Sequence, residues 1–323
     1  MVGKMEECRL TGIQSEAEVL THRWYSHPTI LTSLISIAYQ RESKWQLKIS
    51  DTEVKGIRHR CLGTSSFLKA ELKSLGADQR PVGMMVSTQE IIWRNISPHE
   101  LPPIQIRKKG KSGYNEELKI YQKDWKNIIF KDPEIAPIGQ QLMIFDFDDV
   151  DLKVSWNRAR SVYNYLRNEY SAQPSFIFSG NKGFHIWVHP EDIPKIISEI
   201  TENSEFFNAF TNQTFGQLLA RKVEEIVFEV TGSAQPVADL SPNYIQGMVR
   251  CPYSIHEKSG QVVWPLSQTD ILMLEKSSFK VATEVGKLLH PWNINLKEFP
   301  GVTTWIPPHA NLYNRTLESL RKY

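Results

Sequence analysis

The feature that most restricts the fold is a pair of short apolar runs separated by a five-residue break. Both runs, Phe176–Phe178 and Phe184–Val188, consist largely of aromatic and β-branched residues, which favour strands. The break between them, with the sequence SGNKG at positions 179–183, contains two glycines and has the length of a turn. This stretch therefore predicts two strands joined by a tight turn, with a hydroxyl, a lysine and a histidine close together.

The turn has two interpretations. Gly180 and Gly183 allow close approach of the backbone, so that free amides can face an anion, while Ser179 adds a hydroxyl and Lys182 a charge. With His185 at the start of the second strand, these groups would form a cradle for phosphates. The alternative is an ordinary hairpin whose lysine and histidine are merely solvated. The turn alone does not decide between them.

A second stretch, QLMIFDFDDVD at positions 141–151, predicts an apolar strand that ends in acids. Strand alternation places Asp146 and Asp148 on one face, about 7 Å apart along the strand. Two carboxylates so close repel each other unless a cation lies between them, and oxygen ligands suit Mg²⁺ or Mn²⁺. The alternative is a strand that runs into an acidic loop, because Asp149 and Asp151 follow.

A third stretch combines an acid with a series of cations. Asp239 follows an apolar pair, and Arg250, His256 and Lys258 surround a proline and a serine. Arginine and lysine are the usual partners of phosphate, although a surface hairpin of mixed charge would look similar. Taken together, the three stretches indicate a site for divalent metals and a polyphosphate, as nucleotidyl transfer requires.

In this order the three stretches resemble the motifs of the archaeo-eukaryotic primase superfamily, most closely those of the catalytic small subunit of DNA primase. That family carries an hhhDhD strand, an SGxxGxH turn, and an acid followed by a (R/K)xPxSxHxKxG segment. Here these stretches read MIFDFD, SGNKGFH and VAD with RCPYSIHEKSG. A looser similarity in QRESKWQL, IRHRC and PVGMMVS extends the match to roughly residues 20–266.

The resemblance implies roles for individual residues. Two divalent ions, Mg²⁺ or Mn²⁺, would be held by Asp146, Asp148 and Asp239. The residues implied to bind the nucleotide are Ser179, Lys182, His185, Arg250, His256 and Lys258, with Arg58 and Glu42 as looser matches. The sequence departs from the family at Asn181, where a second basic residue is frequent, and it has no cysteine-bearing zinc knuckle between the first two motifs.

The implied fold is α+β: the primase catalytic fold, with a mostly antiparallel, RRM-like central sheet, flanking helices and a helical C-terminal part. The expected catalytic domain spans residues 1–266, its three-motif core about 141–266, and a mostly helical extension covers 267–323. Apolar periodicity predicts helices within 1–40, 65–75, 156–170 and 206–232, with Gly232 as a C-cap. Strands are expected at 44–50, 81–88 and 90–96, and loops at 97–140.

The implied function is template-directed nucleotidyl transfer that makes primers on single-stranded DNA during replication and extends them. The expected partners are the template, nucleoside triphosphates, the primer strand, and a primase large subunit or other replication-protein domains. Two alternatives remain open. One is a gap-filling repair polymerase of the same superfamily, which extends primers without starting them. The other is an inactive module that holds nucleotide or DNA.

Composition adds limits on cofactor and location. The net charge of +2 neither demands nor forbids a nucleic-acid partner, because a local patch such as the basic cluster at 107–111 would suffice. The three cysteines form no C-x-x-C pair, so we expect neither a zinc site nor a disulfide framework. Without a secretory signal or a membrane-length apolar run, we expect a cytoplasmic protein, nucleoid-associated in a prokaryote or nuclear in a eukaryote.

Overall fold

A computed structural model of the chain describes residues 23–38, 41–48, 53–59, 68–69, 72–73, 75, 82–91, 138–202, 212–233, 237–244, 247–268 and 270–272. Three sequence predictions lie outside the described residues. They are the helix at the amino-terminal end of 1–40, the loops and basic cluster between 97 and 137, and the helical extension beyond residue 272.

The described part of the chain mixes helices with antiparallel strands, which confirms the α+β class. The helices are α1 (Pro28–Ala38), α2 (Leu152–Tyr170), α3 (Pro194–Glu202) and α4 (Asn212–Thr231). The strands are β1 (Arg41–Lys48), β2 (Val54–His59), β3 (Val82–Ile91), β4 (Ile138–Gln141), β5 (Met143–Asp148), β6 (Ser175–Phe178), β7 (Gly183–Val188), β8 (Met248–Arg250) and β9 (Trp264–Leu266).

The strands form two antiparallel sheets and not the one central sheet that was expected. The first sheet has the order β2-β1-β3-β4, with β8 also paired to β3, and the second has the order β5-β7-β6-β9. The chain crosses between the sheets at Leu142, which separates β4 from β5 and donates its backbone N–H to the Thr88 carbonyl at 2.8 Å. Because only one residue separates the two strands, the chain passes directly from β4 of the first sheet into β5 of the second.

Other element predictions need adjustment. One strand, β3, covers most of the strand expected at 81–88 and continues into the start of that expected at 90–96, with a register irregularity between Gln89 and Ile91. The rest of the second expected strand, 92–96, lies outside the described residues. The end of the expected loop region forms β4. Helix α2 begins before residue 156 because Asp151 caps it, accepting a hydrogen bond from the Lys153 amide at 2.8 Å. Gly232 follows α4 with a φ of +65°, as the C-cap prediction required.

The second sheet has two buried faces of different character. One face packs on α2 and α4 and is dominated by aromatic residues that are almost fully buried, namely Phe145, Phe147, Phe176, Phe178 and Phe184. The opposite face places Ile144, Ile177 and Trp187 in the core shared with the first sheet. Asp146 and Asp148 alternate with Phe145 and Phe147, so they belong to this opposite face, between the sheets.

Residues from the amino-terminal side brace the segment that follows β8. The Trp24 indole Nε1–H donates to the Tyr253 carbonyl at 2.8 Å. The Tyr25 hydroxyl donates to the Val82 carbonyl at 2.6 Å and accepts from the Ile255 amide at 2.9 Å. These buried bonds tie the start of the described chain to β3 and to residues 253–255. None of the described helices has the length and apolar character needed to cross a membrane.

Candidate active site

The pairing of β5 with β7 sets the geometry of the candidate site. Asp146 lies opposite His185 and Asp148 lies opposite Gly183. The His185 Nε2 atom is 3.2 Å from Asp146 Oδ1, and the Lys182 Nζ atom is 3.4 Å from Asp148 Oδ2. Each acid of the strand therefore faces one basic side chain of the turn region. The Asp146 side chain is 19% exposed and the Asp148 side chain 50% exposed, so solutes can reach both carboxylates.

The third acid lies beside the first, on the other edge of β5. Asp239 forms an isolated antiparallel bridge with Asp146 and donates its backbone N–H to the Asp146 carbonyl at 2.8 Å. Residues directly opposite in such a bridge have Cβ atoms about 5 Å apart. The Asp239 carboxylate accepts two hydrogen bonds from Ser241, one from its backbone amide at 2.8 Å and one from its side-chain hydroxyl at 2.9 Å. The structure thus brings Asp239 beside an acid pair that is distant from it in the sequence.

The two later acids of the same stretch have structural roles. Asp149 pairs with Arg158, with 2.9 Å between Oδ2 and Nη1. Hydrogen bonding from the Asp151 amide and the Arg158 charge lower the pKa of the Asp149 carboxyl against the opposing effect of desolvation. Asp151 caps α2. The acidic-loop interpretation therefore describes Asp149 and Asp151, whereas Asp146 and Asp148 face the turn.

Asn243 holds the Asp239 segment against β5. Its side chain donates from Nδ2 to the Ile144 carbonyl at 2.7 Å and accepts at Oδ1 from the Ile144 amide at 2.9 Å, and the residue is fully buried. Its own carbonyl accepts a hydrogen bond from the Gln141 side chain. We refer to this contact between Asn243 and Ile144 as the asparagine clasp. In the sequence, Asn243 follows a proline and looks like a turn residue, so no pattern indicated this role.

The turn at 179–183 is closed by its own serine. The Ser179 amide donates to the Gly183 carbonyl at 3.0 Å, and the Ser179 hydroxyl oxygen accepts from the Gly183 amide at 3.1 Å. The Ser179 hydroxyl therefore stabilises the turn as an acceptor. Its own proton can still be donated to a ligand. At Gly183, a Cβ atom would lie 2.5 Å from the Phe147 carbonyl oxygen, so the strand pairing there requires glycine.

The turn also packs on the segment that carries His256. Gly180 has a φ of +86°, and a Cβ atom at this residue would lie 2.9 Å from the His256 Cβ. The Ser259 hydroxyl donates a hydrogen bond to the Gly180 carbonyl. Two of the three predicted stretches are thus in direct contact, and Gly180 makes that approach possible.

Two buried histidines border the turn. Burial and the positive charge of Arg250 lower the pKa of His256 to about 4, so its ring is neutral at neutral pH. Its Nδ1 accepts a hydrogen bond from the Lys258 amide at 3.2 Å, which leaves Nε2 with the proton and makes it a donor. His185 has a buried Nδ1 with no hydrogen-bond partner in the part of the chain that the structure describes. His256 Nε2 is therefore a donor, whereas His185 faces Asp146 through Nε2 and keeps its Nδ1 buried.

Arg250 is already engaged by a residue that the sequence analysis did not select. Its two terminal nitrogens contact the two carboxylate oxygens of Glu257, with 2.8 Å between Nη2 and Oε1. Burial alone would raise the pKa of Glu257, but hydrogen bonds and charge from Arg250 outweigh burial and lower it. Glu257 occupies a variable position of the HxK pattern, so the motif gave no signal for it.

The remaining predicted residues are less central. Lys258 is exposed at the edge of the same segment. Glu42 and Arg58 belong to β1 and β2 of the first sheet, whereas the acids at 146 and 148 belong to the second. Glu42 is buried, and its amide donates to the Ser87 hydroxyl at 2.9 Å. The backbone of Arg58 pairs with Lys44, and its side chain lies outside the described residues.

The acids form a donor set of the chemistry that Mg²⁺ or Mn²⁺ prefers, since all are carboxylates on or beside one strand. Within the described ranges, however, no group of three or more His, Cys, Asp or Glu side chains converges closely enough to hold a metal ion. Each of the three carboxylates has another partner in this structure: Asp239 accepts from Ser241, and the other two acids face Lys182 and His185.

Similarity to known proteins is found among solved structures. The sequence matches no family model, and no curated protein matches it. Among solved structures, the chain is similar to the polymerase domain of ligase D from Mycobacterium tuberculosis, determined in complex with DNA. The TM-score is 0.49 and the sequence identity 11%, over 88% of this chain and 99% of that domain.

Proposed function

We propose that this protein is a DNA-templated nucleotidyltransferase, a primase or primase-polymerase that joins nucleotides on a single-stranded DNA template with Mg²⁺ or Mn²⁺. The observation that carries the proposal is the bridge between Asp146 and Asp239, which sets a third carboxylate beside the pair on β5. Three carboxylates beside a cationic turn suit the handling of a metal-bound triphosphate, and a structural hairpin has no need of them.

Each residue then has a part in binding and orientation. Asp146, Asp148 and Asp239 would hold two divalent ions, which when bound would activate the primer 3′-hydroxyl and stabilise the leaving pyrophosphate. Lys182 is half exposed and can swing from Asp148 to a phosphate oxygen by rotation of its own side chain. His256 can donate from Nε2 to phosphate without adding a charge, and the Ser179 hydroxyl can donate as well.

The direct test uses the purified chain, a single-stranded DNA template, Mg²⁺ or Mn²⁺, and ribonucleotides or deoxyribonucleotides in separate reactions. Each reaction is run with and without an annealed primer. Products without a primer would support primer synthesis, and products only with a primer would identify a gap-filling polymerase. No incorporation under either condition, from a folded protein, would contradict the proposal and favour an inactive binding module.

We expect Lys182→Ala to reduce kcat/KM for the incoming nucleotide by about ten- to a hundredfold, because a charge-assisted hydrogen bond to phosphate contributes roughly 1.5–3 kcal/mol. His185→Ala should weaken the same step by less, because Asn181 leaves Lys182 as the cation of the turn. Steady-state incorporation kinetics measure both effects. Asn181→Ala is the matched control, since Asn181 is an exposed neighbour in the same turn.

Binding of single-stranded DNA in the absence of nucleotide separates this prediction from a general loss of function. That binding should hardly change in Lys182→Ala, because the lysine is proposed to act on the triphosphate. Wild-type kcat and KM in both Lys182→Ala and His185→Ala would show that the turn is only a hairpin.

A further inference from the structure

We propose that Glu257 is a positioning residue that fixes the guanidinium of Arg250 and cancels its net charge, so that Arg250 offers a bound nucleotide directed N–H donors and not a free positive charge. The inference deepens the proposed function and rests on it. It concerns a residue for which the motifs gave no role.

The first support is the geometry of the pair. Each terminal nitrogen of Arg250 contacts one carboxylate oxygen of Glu257, Nη1 with Oε2 and Nη2 with Oε1. This two-pronged contact fixes the plane of the guanidinium as well as its position. The Glu257 side chain is only 1% exposed, whereas that of Arg250 is 16% exposed. The carboxylate is therefore closed off from solutes, and the arginine is the member of the pair that a ligand can reach.

The second support is the way the pair is built into β3. A Cβ atom at Gly83 would lie 2.6 Å from Glu257 Oε2 and 3.2 Å from Arg250 Nη1, so the pair rests directly on the backbone there. The segment between its two members is fastened to the same strand. The Cys251 amide donates to the Met84 carbonyl at 2.9 Å. The Ser254 hydroxyl lies 2.7 Å from the Cys251 carbonyl and 3.2 Å from the Met84 carbonyl, and its one proton can serve either. Neither member can move without disturbing the strand.

The third support is the number of N–H donors that Arg250 keeps and the charge around it. A guanidinium has five N–H groups, and the two-pronged contact uses two of them, so three remain for a ligand. The opposite charges of Arg250 and Glu257 cancel, and the neighbouring His256 is neutral. Among the described residues that border the turn, the other positively charged side chains are Lys182, 3.4 Å from Asp148, and Lys258, and both are exposed. Arg250 would therefore orient the bound nucleotide through its N–H donors, and the lysines would attract the nucleotide through their charge.

This division of labour predicts opposite effects on the two kinetic constants. In Glu257→Gln the charge of Arg250 is no longer cancelled, so nucleotide should bind several-fold more tightly, with a lower KM and a steeper salt dependence. The guanidinium is also less firmly held, so kcat should fall about tenfold or more. Lys258→Gln is the contrasting variant, because loss of an exposed net charge should raise KM.

A second variant covers the case in which Glu257→Gln fails to fold. Replacement of both members, Arg250→Met with Glu257→Leu, removes the charges together, and such apolar replacements often preserve stability. Thermal unfolding checks the fold of each variant. The folded double variant should show a reduced kcat and a raised KM, because the donors are gone. Wild-type kinetics in this variant would overturn the proposal, since the pair would then serve only the fold.

Equilibrium binding of ATP with Mg²⁺ separates this inference from the proposed function. If the wild-type protein incorporates no nucleotide but binds ATP, the proposed function fails and Glu257→Gln should still bind ATP several-fold more tightly. Equal or weaker binding by a folded Glu257→Gln variant would overturn the inference. Failure of the wild-type protein to bind ATP at all would overturn it as well.

Discussion

Asp146→Asn and Asp148→Asn are each expected to reduce nucleotide incorporation by on the order of a thousandfold, the upper range for loss of one group that stabilises transition-state charge. Asparagine keeps the size of aspartate, so the strand pairing of β5 with β7 should persist while a charged oxygen ligand is lost. Primer-extension rates measure the effect, and thermal unfolding confirms that each variant is folded. Asp239→Asn should behave similarly in the extension assay.

The same stretch provides matched controls in Asp149→Asn and Asp151→Asn. Asp149 pairs with Arg158 and Asp151 caps α2, so both changes should leave incorporation within a few-fold of wild type. Asparagine caps a helix about as well as aspartate, so Asp151→Asn should also leave the free energy of unfolding nearly unchanged, whereas Asp151→Ala should reduce it by about 1 kcal/mol. Near-normal synthesis by Asp146→Asn or Asp148→Asn would refute the assignment of the acids. An equal loss in Asp149→Asn would show that the stretch acts only through its total charge.

Asn243→Ala is expected to lower the free energy of unfolding by roughly 2–6 kcal/mol. The substitution leaves the buried amide and carbonyl of Ile144 without hydrogen-bond partners, and each unsatisfied group costs about 1–3 kcal/mol. The asparagine clasp satisfies both the amide and the carbonyl of that residue, at 2.9 Å and 2.7 Å. Urea unfolding measures the loss. The control is Asn181→Ala, the same substitution at an exposed position, which should change stability by less than about 0.5 kcal/mol.

The clasp also has an expected effect on activity. The clasp binds the Asn243 end of the segment that begins at Asp239 to Ile144, next to the bridge between Asp239 and Asp146, so its loss should let the third acid drift away from Asp146. Asn243→Ala should therefore incorporate nucleotide poorly even at a temperature at which it is fully folded. A stability loss below about 1 kcal/mol together with wild-type incorporation would show that the clasp is incidental.

The sequence was informative where a local pattern has a direct geometric consequence. Alternation along β5 correctly predicted that Asp146 and Asp148 share a face, because the aromatic residues between them must point into the core against α2. The glycines at 180 and 183 do mark close contacts, with the His256 side chain and the Phe147 carbonyl, but the Gly183 amide donates to Ser179 and is not the free amide that was expected to face an anion. The left-handed Gly232 followed from its place after a helical pattern. Each of these inferences needed only neighbouring residues.

What could not be predicted depends on contacts between distant segments. Glu257 lies in a polar stretch, SIHEKSG, that looks exposed, and its burial follows from a partner on β8 and from the space above Gly83. The division into two sheets depends on the crossing at Leu142, within an apolar run that gives no sign of a break. Ser179 is a local exception: it was expected to bind phosphate, but its hydroxyl oxygen already accepts a hydrogen bond from the Gly183 amide in the same turn.

The hydrogen bonds of Trp24 and Tyr25 have a consequence for biosynthesis. They join residues 229 and 230 positions apart, so both aromatic side chains leave the ribosome long before their partners at Tyr253 and Ile255 exist. Contacts of such long sequence separation form late and slowly. Until residues 253–255 have left the ribosome, the aromatic pair lacks two of its buried hydrogen-bond partners, which favours chaperone binding and aggregation of the nascent chain. Slower elongation before that point should therefore lower the yield of soluble protein, whereas slower elongation after it should not.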